Sequence, residues 1–421
     1  DVFVSDMGSI STAFRETLVN EGIAFEEQQH TNEKILQADL IVKSPGIPEH
    51  APLIKLLKAA GVPVISEIEF AAQYTDAKLY CITGSNGKST TTMLTYDMLK
   101  NGGVNVGLAG NIGKSFALQV ARENFDVYVL EISSFMLDDM FQFRADIAVI
   151  LNVTPDHLDR YDQSVDNYLA AKFRIIRNQR ENDYFIYCAD DELTLQGLAQ
   201  FKSNAIYLPF TQIGHFQTGA YLDDDKNIII NIPNKDIFTM NIEELSLQGK
   251  HNVYNNMASG LIAKVQELRN QTMKESMESY VNIPHRLEHV ACIGGVNYIN
   301  DSKGTNVNSV WYALESFSPD IVLIMGGVDK GNDYEMLRDL VKSKVKGIVC
   351  IGKDSSRIHE AFEEDTDVIV NASSMQDAVE ISSYLAKKGD TVLLSPACAS
   401  FDWFKNYEER GDKFKEAVMS L

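Results

Sequence analysis

ITGSNGKSTTT, residues 82–92 of the 421-residue chain, decides the fold. An apolar run, LYCIT at 79–83, enters a turn of Gly84, Ser85, Asn86 and Gly87. It leaves through Lys88, Ser89 and Thr90 into a helical stretch, TTMLTYDMLKNGG at 91–103. Glycines let successive backbone N–H groups converge on an anion, and a helix start adds partial positive charge. Lys88 suits the neutralisation of terminal phosphates, and Ser89 offers a hydroxyl to Mg2+. The spacing departs from the strict phosphate-loop pattern, because Ile82 stands five positions before Gly87. Strand, loop and helix together predict a nucleotide-phosphate cradle.

Outward from this loop the same unit recurs: an apolar run, a polar or Gly turn, then a helical stretch. VYVLEIS (127–133), IAVILNVT (147–154), IVLIMGG (321–327), GIVCIG (347–352) and TVLLSP (391–396) read as strands buried on both faces. Such strands predict an α/β protein with parallel sheets covered by helices. Glu131 ends one of them, and Asp156, His157 and Asp159 follow another on the loop NVTPDHLDRY (152–161). Ligands of open α/β sheets bind at that edge, so Lys88, Ser89, Glu131 and the Asp/His loop predict one metal–nucleotide crevice.

Three units are expected: 1–74, 75–283 and 284–421. The first is Rossmann-like and incomplete at its start, since DVFVSD (1–6) reads as a second strand with no GxGxxG before it. The second is a phosphate-loop parallel-sheet unit with a hairpin-rich insertion, because 205–248 alternates apolar and polar residues around DDDKN (223–227). The third is again Rossmann-like.

Composition excludes several classes. With 45% hydrophobic and 23% charged residues the chain is globular rather than disordered. No apolar run approaches the ~20 residues of a membrane span, and no secretory signal pattern is present. Five scattered cysteines without metal spacing predict reduced thiols in a cytoplasmic protein, Cys81 and Cys350 lying in the core. A net charge of −21 argues against nucleic-acid or anionic-membrane partners.

ITGSNGKST, EISSF and NVTPDHLDRY, in this order, resemble the central ATPase domain of the Mur ligases. The resemblance continues through GKHNVYNNMAS (249–259), PHRLE (284–288), NDSKGTN (300–306), GGVDKGND (326–333) and LLSPACASFDWFKNYEERG (393–411). It implies an ATP-dependent, amide-forming enzyme of peptidoglycan precursor synthesis that works through an acyl phosphate and a tetrahedral intermediate. Gly84 to Thr90 would bind ATP phosphates, with Asn252 and Asn255 on the adenine side and Arg286 and Asp301 reaching in from the third unit. Ser89 and Glu131 would hold one Mg2+, and His157 a second. Lys172 would be carbamylated by CO2, although spacing alone makes it an ordinary helix-surface lysine. Capping is the plainer reading of Asn252 and Asn255.

Specificity is argued from the third unit. D-Glutamate brings two carboxylates, which call for cations and donors. The resemblance assigns these to Lys303, Thr305, Lys330, Ser400, the Phe401 backbone and Tyr407. NDSKGTN, where sibling ligases carry a DYAHxP-like segment, points to the branch that adds D-glutamate to UDP-N-acetylmuramoyl-L-alanine. Gly46, Asn111, Ser133 and His157 would touch that substrate, with Ser5 and Asp6 near the UDP group. Met136 and Tyr407 depart from the commoner Gln and Phe. A monomer is expected. Alternatives remain a sibling ligase with another amino acid, a folylpolyglutamate-type ligase, and a phosphate-loop NTPase switch, which would hydrolyse ATP without an acceptor.

Overall fold

The computed structural model describes residues 1–156, 158–247, 249–281 and 284–421. Its centre is a nine-stranded sheet. The strand Lys78–Thr83 lies between Val127–Glu131 and Ile147–Ile150, parallel to both, with Val106–Gly110 at the near edge. Beyond Ile147–Ile150 come Tyr184–Cys188 and Ile206–Thr211, also parallel. Core clusters fill both faces, one including Ile82, Val129 and Val149, the other Cys81, Leu130 and Ala148. Alternate residues of each strand thus serve opposite cores, which is why these strands are apolar throughout.

The 205–248 region adds to this sheet rather than forming a separate layer. Ile206–Thr211 and Gly219–Leu222 are parallel, and only Gly219–Leu222, Asn227–Asn231 and Phe238–Asn241 form the expected antiparallel hairpins. Asp223 fixes the first hairpin turn by accepting from Asn227 N at 2.7 Å, while Lys226 takes φ +62°.

The C-terminal sheet has six strands. Glu288–Ile293 and Val296–Asn300 form a hairpin across Gly294 and Gly295, whose φ values of +61° and +83° suit a tight turn. Thr391–Leu394, Ile321–Gly326, Val345–Ile351 and Ile369–Asn371 continue it in parallel. The N-terminal unit holds four short strands in two separate parallel pairs, Phe3–Asp6 with Ala24–Glu27 and Ile41–Lys43 with Val64–Ser66. It is joined to the central unit by a buried ion pair, Lys43 Nζ to Asp139 Oδ2 at 2.8 Å. Cys81, Cys188, Cys350 and Cys398 are buried free thiols and Cys292 is exposed. Among the described residues no helix is long and apolar enough to cross a membrane.

Candidate functional site

The loop after Lys78–Thr83 emerges where the chain crosses from one side of that strand to the other, the place where open α/β sheets bind ligands. Its shape is set by its neighbour. Ser85 N donates to Asn152 O at 3.0 Å, Asn86 N to Asn152 Oδ1 at 2.8 Å, and Asn152 Nδ2 returns to Asn86 O at 3.1 Å. Gly87 has φ +81°, and a Cβ there would collide with the Asn255 carboxamide oxygen, so glycine is required on two counts. The helix Lys88–Asn101 begins directly after it, with Ser89 and Thr90 buried in its first turn.

Lys88 Nζ folds back to donate to Gly84 O and Ser85 O, each at 2.8 Å. Desolvation in the crevice lowers its pKa, against the pull of Glu131 and Asp156. Lys172 is not on the helix surface. It is 1% exposed, and its Nζ donates to the same Gly84 O at 2.9 Å while lying over the Tyr168 ring. The helix Val165–Phe173 meets the phosphate loop through Tyr168, whose hydroxyl bonds with Ser85 Oγ at 3.0 Å, and carries Lys172 inward. Burial, then repulsion from Lys88, pushes the Lys172 amine well below the usual lysine range.

Glu131 is also buried. Asn111 Nδ2 donates to its Oε1 at 2.8 Å, while Oε2 is enclosed without a hydrogen-bond partner. An enclosed carboxylate oxygen that accepts nothing is costly, and it is the donor type that Mg2+ takes. Glu131, with the Ser89 hydroxyl buried in the first turn of Lys88–Asn101, has the oxygen donors that could hold a divalent cation. Among the described residues no three His, Cys, Asp or Glu side chains gather into a cage. His157, expected to hold a second cation and to touch substrate, lies outside the described residues.

The third unit closes the crevice, a narrow cleft of about 40 Å3 lined by Gly87, Asn252, Asn255, Arg286, Asp301 and Tyr312 among others. Asn252 and Asn255 are not caps. Gly249 caps the helix Lys250–Val265, and the two asparagines are buried along it, Asn255 Nδ2 donating to Asn252 Oδ1 at 3.0 Å. Asp301 accepts from Ser395 Oγ at 2.8 Å and Leu287 N at 3.3 Å, with Arg286 Nη1 at 3.9 Å. Burial still pushes its carboxyl up to about 6. Lys303 is held down to about 8, chiefly by burial, with Glu131, Arg286 and Lys88 close enough to contribute. Its ammonium lies 5.5 Å over the Tyr407 ring. These groups therefore face one another.

Other expected residues are more dispersed. Val328 and Ala399 exchange two backbone hydrogen bonds, at 2.8 and 3.1 Å, setting the turn that bears Lys330 beside the loop of buried Ser400. Lys330 itself is exposed, as is Phe401. Thr305 N donates to Lys303 O at 3.0 Å, and its side chain is half-buried. Ser133 caps the short helix Ser134–Asp138. Ser5 is engaged within its own unit, with Glu26 Oε1 at 2.7 Å, and Asp6 accepts from Gly8 N.

Two arginines that the sequence reading left unassigned organise the site. Arg160 donates to the carbonyls of Gly46 at 3.0 Å, Pro45 at 3.2 Å and Ile47 at 3.3 Å, and its guanidinium lies over the Phe135 ring. Arg410, fully buried, donates to Ser302 Oγ, Ser302 O and Cys398 O at 3.0, 2.8 and 3.1 Å. It thereby ties NDSKGTN to SPACASF. Both sit inside quoted motifs; only their long-range partners were invisible.

Comparison with known proteins agrees along the chain. Family models match at residues 1–53 (MurD N-terminal domain), 82–263 (Mur ligase middle domain) and 285–398 (Mur ligase, glutamate ligase domain). The UDP-N-acetylmuramoylalanine--D-glutamate ligase of Bacteroides fragilis is 51% identical over 100% of this chain and 94% of its own length. Its counterpart in Bacteroides thetaiotaomicron is 50% identical with the same coverage. The fold is shared with a pseudomurein peptide ligase type C from Methanothermus fervidus, at TM-score 0.65 and 19% identity over 100% of this chain and 94% of that one. At such identity over its whole length, the chain belongs to the Mur ligases, within the UDP-N-acetylmuramoylalanine–D-glutamate ligase family.

Proposed function

We infer that this chain forms the amide bond between D-glutamate and the alanyl carboxylate of UDP-N-acetylmuramoyl-L-alanine, driven by ATP and Mg2+, in peptidoglycan precursor synthesis. The observation that carries the reading is the roughly half identity, over the full chain, with relatives named for this reaction.

The chemistry needs two anions brought together and water kept out. Mg2+, when bound, would supply positive charge that offsets the repulsion of the two anions. Glu131 and Ser89 would hold it, and His157 and a carbamylated Lys172 would serve a second ion. The Lys172 amine is suited to carbamylation, since burial favours the neutral form, whose lone pair attacks CO2. The loop Gly84–Thr90 cradles the phosphates, with Lys88 on the terminal ones. Asn252 and Asn255 meet the adenine, and Arg286 and Asp301 close on the nucleotide from the third unit.

The alanyl carboxylate attacks the γ-phosphorus and ADP leaves, giving an acyl phosphate. The amine of D-glutamate then attacks the acyl carbon, and phosphate departs from the tetrahedral intermediate. Lys88 and Arg286 act by fixed positive charge in a site shielded from water. Gly46, Asn111, Ser133 and the Arg160-bound loop position the UDP substrate. Lys303, Thr305, Lys330, Ser400, the Phe401 backbone and Tyr407 position D-glutamate. The enzyme works as a cytoplasmic monomer of three domains, 1–74, 75–283 and 284–421.

The test is product analysis with Mg-ATP, UDP-N-acetylmuramoyl-L-alanine and labelled D-glutamate. One ADP, one phosphate and one labelled dipeptide product per turnover is the expected result. Phosphate release without an acceptor would indicate an NTPase instead.

A further inference from the structure

The third unit meets the nucleotide loops along one face of a single helix. Asn306 caps Val307–Glu315, its Oδ1 accepting from Ser309 N at 2.8 Å, and its Nδ2 donates across the crevice to Asp156 Oδ2 at 3.3 Å. Three residues on, Ser309 Oγ donates to Asn86 Oδ1 in the phosphate loop at 3.0 Å. Three further on, Tyr312 packs against His251 with ring centroids 5.4 Å apart. Ser309 and Tyr312, three apart, share one face of the helix, and Asn306 precedes them as its cap. Ser316, just past the helix, lies close to Gly249, which caps the helix bearing Asn252 and Asn255. The contacts therefore touch, in order, the loop with the expected metal ligand, the phosphate loop, and the start of the adenine-side helix.

The chain leading into this helix is NDSKGTN, which carries Asp301, Lys303 and Thr305. Thr305 N to Lys303 O and Gly304 N to Asp301 O, at 3.0 and 2.8 Å, make that stretch a compact turn. Arg410 fixes it to the rest of its unit. Lys303 lies close enough to Lys88 and Glu131 to feel their charges, so the seat of the helix sets how it faces the phosphate loop.

We propose that Asn306, Ser309 and Tyr312 form a latch that registers the amino-acid-binding unit against the nucleotide loops, so that Lys303 and Thr305 are placed only when the two units are closed. They are positioning residues; none supplies charge or takes a proton in the reaction. The proposal rests on the ligase reading above for its kinetic consequence, though its geometric consequence stands apart from it.

The full chain is assayed by steady-state phosphate release, and by small-angle scattering with Mg2+, a non-hydrolysable ATP analogue and UDP-N-acetylmuramoyl-L-alanine. The variants are Asn306→Asp, Ser309→Ala, Ser309→Thr, Tyr312→Ala and Tyr312→Phe. One lost neutral contact shifts a closure equilibrium by roughly fivefold. Ser309→Ala and Tyr312→Ala are therefore expected to lower kcat about 3- to 10-fold and to weaken ligand-induced compaction, Tyr312→Ala also raising the KM for ATP because its ring lines the crevice. Ser309→Thr keeps the hydroxyl and Tyr312→Phe keeps the ring, so both recover most of the loss. Asn306→Asp keeps the helix cap but opposes a carboxylate to Asp156, and is expected to lose more than Ser309→Ala. Parental kcat and compaction in both alanine variants would overturn the latch, as would equal losses in Ser309→Ala and Ser309→Thr. If the parent chain consumes no D-glutamate, the ligase reading fails, and scattering alone decides the latch: alanine variants that compact like the parent reject it.

Discussion

Lys88 and Lys172 donate to the same carbonyl oxygen, that of Gly84, at 2.8 and 2.9 Å. Two ammonium groups sharing one acceptor repel each other, and the more enclosed of them is the harder to keep charged. That is Lys172, whose pKa burial and Lys88 both depress. The phosphate loop thus holds two lysines on one carbonyl, and the buried one is the proposed acceptor of CO2.

The first prediction concerns that amine. Carbon-13 NMR of enzyme equilibrated with labelled bicarbonate should show one carbamate signal that is absent from Lys172→Ala. The same substitution should lower kcat by roughly 10²-fold, in line with the loss of one preorganised electrostatic group. Activity unaffected by removing CO2, together with no carbamate signal, would dismiss the modification.

Lys88→Ala should cost about 10²–10³ in kcat, because it removes the side chain that bonds to the Gly84 and Ser85 carbonyls of the phosphate loop. Isotopic exchange of phosphate oxygens with the alanyl carboxylate checks that the loss falls on acyl-phosphate formation.

These lysines show how far the sequence could be read. Lys88 was legible because glycines, strand and helix fix its place locally. Lys172 looked like a surface residue because nothing in YLAAKFR indicates that its helix meets the phosphate loop. Asn252 and Asn255 look like caps near a helix start, yet Gly249 takes that position and they face inward. Arg160 and Arg410 stood in view within their motifs, but their partners, 113 to 115 and 108 residues away in the principal contacts, are a property of the folded chain. The 205–248 hairpins were legible, whereas the parallel pairing of Ile206–Thr211 with the central sheet was not, since pairing across a crossover leaves no local pattern.

Asp301 sets stability against function. Its folded-state pKa is raised from 3.8 to about 6, so the neutral form is favoured by folding. The stability it contributes is complete below about pH 4 and is lost as pH rises through about 6. Asp301→Asn should therefore raise the unfolding free energy by about 1–3 kcal/mol at pH 8, and by little at pH 4. It should also weaken ATP use, because Arg286 loses its charged neighbour. Thermal melts at the two pH values, alongside the KM for ATP, check both halves. A variant less stable at pH 8 would contradict the account.

The proposed place of Lys303 at a D-glutamate carboxylate implies pH-dependent binding of that substrate. The Lys303 pKa is depressed to about 8, chiefly by burial, so in the free enzyme the ammonium is intact below that pH and is lost above it. The KM for D-glutamate should rise as pH passes about 8. Lys303→Arg, which keeps its charge, should flatten that rise even if binding is weaker overall. A profile unchanged by the substitution would remove Lys303 from the carboxylate site.

Arg160 should act on the other substrate. Arg160→Ala releases the carbonyls of residues 45–47 and is expected to raise the KM for UDP-N-acetylmuramoyl-L-alanine about tenfold, while the KM for ATP changes little. Parallel titrations of the two substrates separate these effects.

The most direct measurement compares amino acids as acceptors. Phosphate release from Mg-ATP with UDP-N-acetylmuramoyl-L-alanine is followed in the presence of D-glutamate, L-glutamate, L-alanine, meso-diaminopimelate or D-alanyl-D-alanine. Turnover with D-glutamate alone is the result this account requires. Turnover with another acceptor in its place would keep the ligase chemistry and contradict the assignment of Lys303, Lys330 and Ser400 to the two carboxylates of D-glutamate.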